Sequence, residues 1–140
     1  MPTRRLAALV LTSLLAAGCA APKTPVHIGP PLPTSELAIV QAQDPENTGG
    51  ATVRFHLAFE SFMKVGDGQR TFVGDARNGY PTRISVLPGD YTIITRCVSG
   101  NYWAYPAAEL SLEAGRIYTL RCGVSPHNLT SFRLTMDSIE

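Results

Sequence analysis

The sequence has little charge of either sign and no long apolar run. Its 140 residues carry 12 Lys and Arg against 11 Asp and Glu, so the formal net charge is +1. This balance excludes the broad basic surface that nucleic-acid binding requires, and it excludes strong charge-driven binding to anionic lipid headgroups. No apolar run reaches the roughly 20 residues of a membrane-spanning helix. Nucleic acid is therefore not an expected partner.

Helical periodicity is also missing from the chain. Beyond residue 18, no window of a dozen residues repeats its apolar side chains at the spacing of a helix. Instead, 11 Pro and 12 Gly residues separate short apolar runs, which favours many short strands. The length leaves room for one domain, and an apolar content of 44% is enough for a packed core.

The N-terminus has the layout of a secretory signal. Arg4 and Arg5 precede an apolar run at residues 6–17, and the sequence LAAG at residues 15–18 leads directly into Cys19. This arrangement resembles the lipobox of bacterial lipoproteins. The resemblance implies that residues 1–18 are removed, that Cys19 carries the lipid (palmitate among its acyl chains), and that Ala20 directs the chain to the outer membrane, facing the periplasm. The alternative is an ordinary signal peptide with a cysteine near its cleavage site.

Residues 19–34 differ in composition from the rest of the chain. They contain five prolines and few large apolar side chains. Such a segment cannot bury enough surface to fold, and it prefers an extended polyproline geometry. We therefore predict a tether that holds a domain at residues 35–140 away from the membrane.

The clearest strand pattern lies at residues 53–60, where Val53, Phe55, Leu57 and Phe59 alternate with polar or small side chains. Similar patterns predict strands in the segments 36–43, 69–73, 84–87, 91–97, 109–113, 117–122 and 131–137. Six to eight short strands in about 105 residues are typical of a two-layer antiparallel β-sandwich. The sequence thus predicts an all-β domain preceded by a signal-peptide helix and a tether.

Cysteine usage adds one constraint to this fold. If Cys19 carries the lipid, Cys97 and Cys122 remain in an oxidising compartment, where we expect them to form a disulfide. The bridge closes a loop of about 25 residues, which the chain-entropy model values at roughly 3–3.5 kcal/mol. Since Cα atoms in a bridge lie within about 7 Å, the two strands are either direct neighbours or members of facing sheets. Two buried free thiols are the alternative.

Residue types that carry catalysis or bind metals are scattered. The three histidines, His27, His56 and His127, lack the spacing of a metal motif. Glu109 and Glu113 lie about 13 Å apart along one strand, which is too far for the usual pair of glycosidase carboxylates. We therefore predict no catalytic residue, no metal site and no cofactor.

Tyr102, Trp103 and Tyr105 are the one group that indicates recognition. These three aromatic residues lie between Gly100 and Pro106, in a predicted loop. Amphipathic rings on loops are common at binding surfaces because they offer contact area at low entropic cost. We take the three residues as a candidate binding loop. The alternative is that their rings cap one end of the sandwich.

Turn and strand cues extend the comparison over much of the mature chain. They are Leu32-Pro33, the sequence ELA at 36–38, Gly-Asp-Gly at 66–68, Leu87-Pro88-Gly89 with Tyr91, and Ala114-Gly115 with Tyr118. In these cues the chain resembles small bacterial envelope lipoproteins of unknown function that have transthyretin-like or PEGA-like β-sandwich domains. The resemblance implies a cell-envelope setting and supplies no catalytic residues.

Two functions follow as hypotheses. The first is a non-enzymatic, lipid-anchored envelope protein with a binding or structural role, attached to the membrane through its N-terminal lipid. Its candidate partner is another envelope protein or a cell-wall component. The second is an inhibitor of a secreted hydrolase, because the sequence SGNY at residues 99–102 resembles a segment of C-type lysozyme inhibitors.

Overall fold

The computed structural model describes residues 30–43, 54–125 and 128–140. The predicted signal helix at residues 1–18 and the lipidation site Cys19 lie outside the described residues. Within them the chain forms a short 3-10 helix at Thr34–Glu36 and nine strands. The strands are β1 (Ala38–Ala42), β2 (His56–Lys64), β3 (Arg70–Phe72), β4 (Arg83–Val86), β5 (Gly89–Ser99), β6 (Tyr102–Ala104), β7 (Ala107–Leu112), β8 (Ile117–Ser125) and β9 (Asn128–Ile139).

The strands form two packed sheets, which confirms the predicted β-sandwich. The first sheet has the order β4-β1-β8-β9. The second sheet has the order β3-β2-β5-β6, and β7 pairs with β5 as well. The described pairings are antiparallel except β1–β8, which is parallel. Parallel neighbours need a long connection between them. The chain provides one here, since all strands of the second sheet lie between β1 and β8 in the sequence.

Alternating side chains from both sheets form the core. The largest fully buried apolar side chains include Phe59, Ile84, Ile93, Leu120 and Val40. Each burial of this kind contributes about 1.5–3 kcal/mol of hydrophobic stabilisation. The period-two pattern of the sequence therefore identified the apolar core positions of β2, β5 and β8 correctly, whereas β1 and β4 each bury three consecutive residues.

A disulfide joins the two sheets through this core. Cys97 on β5 and Cys122 on β8 are bonded, with their Cα atoms 6.0 Å apart. Both residues are buried. The predicted bridge is confirmed, and the two strands lie in facing sheets rather than side by side.

A bulge in β2 changes which side chains of this strand face the core. Before the bulge Leu57 and Phe59 are buried, and β2 pairs with β5 in regular register. The register then shifts between Phe59 and Ser61, so that Phe62 packs against the core and contacts Tyr91 edge-on, with ring centroids 5.8 Å apart. Backbone hydrogen bonds at the bulge also position the loop between β3 and β4.

Candidate binding site

The predicted aromatic loop is in part a strand. Tyr102–Ala104 form β6 at the edge of the second sheet, and Tyr105 follows it. Ser99 pairs with Tyr102, so Gly100 and Asn101 make a two-residue hairpin turn. Gly100 has a φ of 57° and Asn101 does not have a positive φ, as in a type II′ turn. The dipeptide Gly-Asn shortly after the alternating segment at residues 91–97 is the sequence signal that could have indicated this hairpin.

All three aromatic side chains are exposed. Tyr102 retains 77% of its accessible surface, Trp103 63% and Tyr105 43%. None of them belongs to the hydrophobic core cluster. Rings that cap a sandwich would lose most of their surface to the core, so the exposure of all three argues against the capping alternative.

The position of Tyr105 is defined by the backbone on both sides of it. Ala104 pairs with Cys97, and the carbonyl of Pro106 accepts a hydrogen bond of 3.0 Å from the Thr95 backbone N–H. The Thr95 hydroxyl donates to the same carbonyl at 3.2 Å. Tyr105 is therefore presented from a short segment that is bonded to β5 at each end.

A second segment, the loop at residues 74–81, approaches these rings from the other side of β5. The backbone N–H groups of Val73 and Gly74 both donate to the carbonyl of Glu60 in the β2 bulge, at 2.9 and 3.3 Å. At the far end, the Phe59 N–H donates to the carbonyl of Pro81 at 2.7 Å. The bulge thus anchors both ends of the loop.

Gly74 is required where this loop begins. A Cβ atom at this position would lie 2.8 Å from the Tyr80 Cα and Cδ1 atoms and 2.9 Å from the Phe59 carbonyl oxygen. Two of these three neighbours are backbone atoms, which cannot move aside cheaply. Only glycine allows the start and the end of the loop to pass this closely.

Asp75 organises the turn that carries Tyr80. Its Oδ1 accepts hydrogen bonds of 2.7 Å from the N–H groups of Arg77 and Asn78, and its Oδ2 accepts one of 2.9 Å from the Asn78 side-chain amide. Asp75 and Gly79 also form a β-bridge. Hydrogen bonds from the Asn78 backbone, the Asn78 side chain and the Arg77 backbone hold the pKa of Asp75 below its ordinary value, because each stabilises the ionised form.

The two segments bring three rings and one cation together. The Tyr80 and Tyr105 hydroxyls lie 3.4 Å apart, and the Trp103 and Tyr105 rings meet edge-on with centroids 5.7 Å apart. The guanidinium carbon of Arg96, on the outer face of β5, lies 5.2 Å from the centroid of the Tyr80 ring. This distance is typical of a cation–π contact.

These residues line an open pocket of about 430 Å³, which we call the aromatic pocket. Its lining comprises Asp75, Ala76, Gly79, Tyr80, Arg96, Trp103 and Tyr105. Tyr102, although the most exposed of the three predicted rings, is not part of the lining. Sequence reasoning therefore found two of the aromatic residues, added one that lies beside the pocket, and missed Tyr80 and Arg96.

The hydroxyl contact also affects ionisation within the pocket. The hydrogen bond to Tyr105 raises the pKa of Tyr80 above its ordinary value, and partial burial raises it further. The Tyr80 hydroxyl is protonated at neutral pH even at the ordinary tyrosine pKa of about 10, and the upward shift keeps it so. It can act in the pocket as a hydrogen-bond donor or acceptor.

The other residues considered in the sequence lie apart from this pocket. His56 is exposed at the start of β2, Glu109 is exposed on β7, and Glu113 follows that strand. His27 and His127 lie outside the described residues. Among the residues that are described, no three His, Cys, Asp or Glu side chains are grouped so that they could hold a metal ion.

A second, smaller pocket of about 210 Å³ lies between the two sheets, away from the aromatic pocket. Here Phe62, Lys64 and Tyr91 of the second sheet approach Val86 of the first. The Tyr91 hydroxyl donates to the carbonyl of Leu87 at 2.8 Å. This hydroxyl is thus already engaged within the protein. The aromatic pocket remains the stronger candidate for recognition.

Helices in the described part of the chain are too short or too polar to cross a membrane. Comparison with protein-family models, with curated proteins and with solved structures found no match to this chain.

Proposed function

We propose that this chain is a non-enzymatic, lipid-anchored protein of the bacterial cell envelope that binds another envelope component through its aromatic pocket. The observation that carries the proposal is the grouping of Tyr80, Trp103 and Tyr105 around Arg96 on an exposed sheet face. Tyr, Trp and Arg are the residue types that contribute most to binding energy at protein surfaces. The anchor at Cys19 and the tether at residues 19–34 would place this face within reach of the envelope.

Site-specific photocrosslinking in living cells tests the binding role. A photoreactive phenylalanine analogue replaces Tyr102, which is exposed and adjacent to the pocket without lining it. We expect crosslinked products that disappear when Trp103→Ala is added. The matched control places the same analogue at Ile139, which is 53% exposed on the first sheet. Identical products from both positions, or products unaffected by Trp103→Ala, would refute a binding role for the pocket.

Metabolic labelling with palmitate tests the anchor. We expect label in the full chain and none in the Cys19→Ala variant, which should also leave the membrane fraction. Labelling that persists in Cys19→Ala would contradict lipidation at this cysteine.

An inhibitor of a secreted hydrolase is the second candidate function. The hairpin turn at Gly100 and Asn101 favours it, since both residues and Tyr102 are exposed at the edge of the second sheet and could enter a cleft. The detergent-solubilised full chain is added to a C-type lysozyme at micromolar concentration. Inhibition that is lost on replacing Asn101-Tyr102 with Ala-Ala would support this candidate, and full lysozyme activity would eliminate it.

A further inference from the structure

Arg96 is a positioned cation that has no acidic partner among the residues that the structure describes. Its guanidinium is held over the Tyr80 ring, and within the described residues its side chain makes no hydrogen bond or ion pair. A guanidinium offers five N–H donors in a planar fork that fits a carboxylate. The donors that Tyr80 does not cover are therefore available to a ligand in the pocket.

Two acidic groups of the described residues that lie close to the pocket already have partners of their own. Both carboxylate oxygens of Asp75 accept hydrogen bonds from its own turn. Glu60, close enough to influence Tyr80 electrostatically, pairs with Arg70 at 2.6 Å and accepts a hydrogen bond of 2.6 Å from Ser61. Neither carboxylate pairs with Arg96, so its guanidinium is left to pair directly with an anionic group of a ligand, while Asp75 keeps its own charge in its turn.

The rings beside Arg96 provide apolar faces in two directions. The Trp103 and Tyr105 ring planes are inclined at 72°, and both rings are exposed. The C–H face of a pyranose ring is apolar and flat, so it can stack on such a ring, while its hydroxyl groups meet the Tyr80 and Tyr105 hydroxyls. A volume of about 430 Å³ suits one or two sugar rings and lies within the usual range of small-ligand sites, roughly 300–1,000 Å³.

From this arrangement we propose that the aromatic pocket binds an acidic saccharide, with a pyranose stacked on Trp103 or Tyr105 and its carboxylate paired with Arg96. The inference rests on the proposed binding function and names the class of ligand. Two sources supply this chemistry in a bacterial envelope: the lactyl carboxylate of muramic acid in the cell wall, and the uronic acids of envelope polysaccharides.

The experiment uses four probes in two matched pairs and the full chain in detergent. N-acetylglucosaminyl-N-acetylmuramic acid is compared with chitobiose, and trigalacturonate is compared with its methyl ester. Each pair keeps the rings and removes the carboxylate charge. Because Trp103 is the only tryptophan of the chain, its fluorescence reports binding at the pocket directly.

We expect at least one acid to bind at least tenfold more tightly than its neutral match. The acid that binds more tightly identifies the source of the ligand, either the cell wall or an envelope polysaccharide. The preference should weaken at high salt, since it depends on charge. Arg96→Gln should abolish the preference and leave the neutral sugar unaffected, whereas Arg96→Lys should retain part of it, because an ammonium group keeps the charge without the planar fork. Thermal unfolding of each variant verifies that the fold is intact.

Two controls isolate the pocket. Tyr102→Ala removes an exposed ring beside the pocket, and Arg116→Gln removes an exposed arginine from the turn that leads into β8. Both should leave binding of the acid unchanged. Tyr105→Ala should weaken the acid and the neutral sugar alike, because it removes a stacking face.

Equal affinity for an acid and its neutral match would overturn the role of Arg96. The absence of any fluorescence change with every probe at about 10 mM, a concentration that would reveal even very weak binding, would overturn saccharide binding. In either case, crosslinks from position 102 that depend on Trp103 would leave the proposed binding function standing with a protein partner. Loss of both signals would refute both proposals.

Discussion

The outer faces of the two sheets differ in how each uses one of its arginines. On the first sheet Gln41 donates to the Thr119 hydroxyl and accepts from Arg83, each at 3.2 Å. On the second sheet Arg96 lies against a ring and has no acidic partner in the described part of the chain. Arg83 donates through Nη1 within its own sheet, although its buried Nε has no hydrogen-bond partner among the described residues. The second face instead leaves a cation and three rings open to a ligand.

The edge of the first face continues the same pattern. Asp137 accepts a hydrogen bond from Gln43 at 3.1 Å and pairs with Arg121 at 3.4 Å. A side chain that is bonded within its own sheet gains little from a partner, since binding would have to replace those bonds. Recognition is therefore to be sought on the second face, where Arg96 is not bonded in this way to any described residue and shares an open pocket with the three rings.

Removing the disulfide should have the largest effect. The Cys97→Ser/Cys122→Ser variant loses the covalent link between the two sheets, and we expect it to lose about 2–5 kcal/mol of unfolding free energy. Urea denaturation measures the change. The two sheets should unfold together, in one transition. Two separate transitions, or a loss well below 1 kcal/mol, would contradict the view that the bridge holds the faces in one cooperative unit.

The next largest effect should come from a Gly→Ala substitution, compared between the loop at residues 74–81 and strand β8 of the first sheet. Gly74→Ala places a Cβ within 2.9 Å of Tyr80 and Phe59, so we expect a loss of about 1–3 kcal/mol from the strain of overpacking and a displaced Tyr80. Gly123→Ala on β8 is the matched control, because its Cβ would meet nothing within 4 Å.

Stability curves and the crosslink yield from position 102 compare these two variants. Gly74→Ala should lower both quantities. Gly123→Ala should stay within about 0.5 kcal/mol of the parent protein and keep its crosslinks. A Gly74→Ala variant with full crosslink yield would show that the pocket does not need the close approach at this glycine.

A smaller pair of effects should separate stability from binding. Gln41→Met removes two hydrogen bonds from the first face, and we expect a loss of about 1 kcal/mol in unfolding free energy with unchanged crosslinking. Trp103→Ala should do the reverse, with a stability change of no more than about 1 kcal/mol because the ring is exposed, and loss of crosslinks. A loss of several kcal/mol in Trp103→Ala would restore the capping interpretation.

The smallest expected effect is the acid titration of the loop on the second face. Because hydrogen bonds lower the pKa of Asp75 in the folded protein, its ionised form stabilises the turn above the ordinary value of 3.8, and this contribution is lost as the pH falls through the lower, folded value. The NMR shifts of the Arg77 and Asn78 amides should therefore titrate together, with a midpoint below 3.8. A midpoint at or above that value would contradict this role, and Asp75→Asn should abolish the titration.

Sequence patterns predicted much of the fold because strand residues alternate between two environments. The presence of eight strands, the buried apolar positions of β2, β5, β7 and β8, and the pairing of Cys97 with Cys122 follow from period-two patterning and cysteine parity. The ninth strand, β6, was assigned to a loop because its aromatic residues lie between Gly100 and Pro106. The bulge at Phe59 and Ser61 escaped prediction as well, because a single inserted residue leaves no compositional signal.

The candidate site was only half predictable for a different reason. Trp103 and Tyr105 stand out because aromatic residues cluster there in the sequence. Tyr80 and Arg96 do not, since each is an ordinary residue in its own segment. Their role arises from contacts between residues that are distant in the sequence. Tyr80 contacts Tyr105, which is 25 residues away, and Arg96, which is 16 residues away.

By itself the sequence determined the all-β class, the core-facing side of most strands and the identity of the bridging cysteines. These properties depend on local alternation and on parity, both of which can be read along one chain. Only the tertiary structure decided that β5 and β8 lie in facing sheets, that β1 runs parallel to β8, and that a loop anchored at the β2 bulge brings Tyr80 to Arg96. Alternation specifies which face of a strand is buried, but it carries no information about which strand lies beside it.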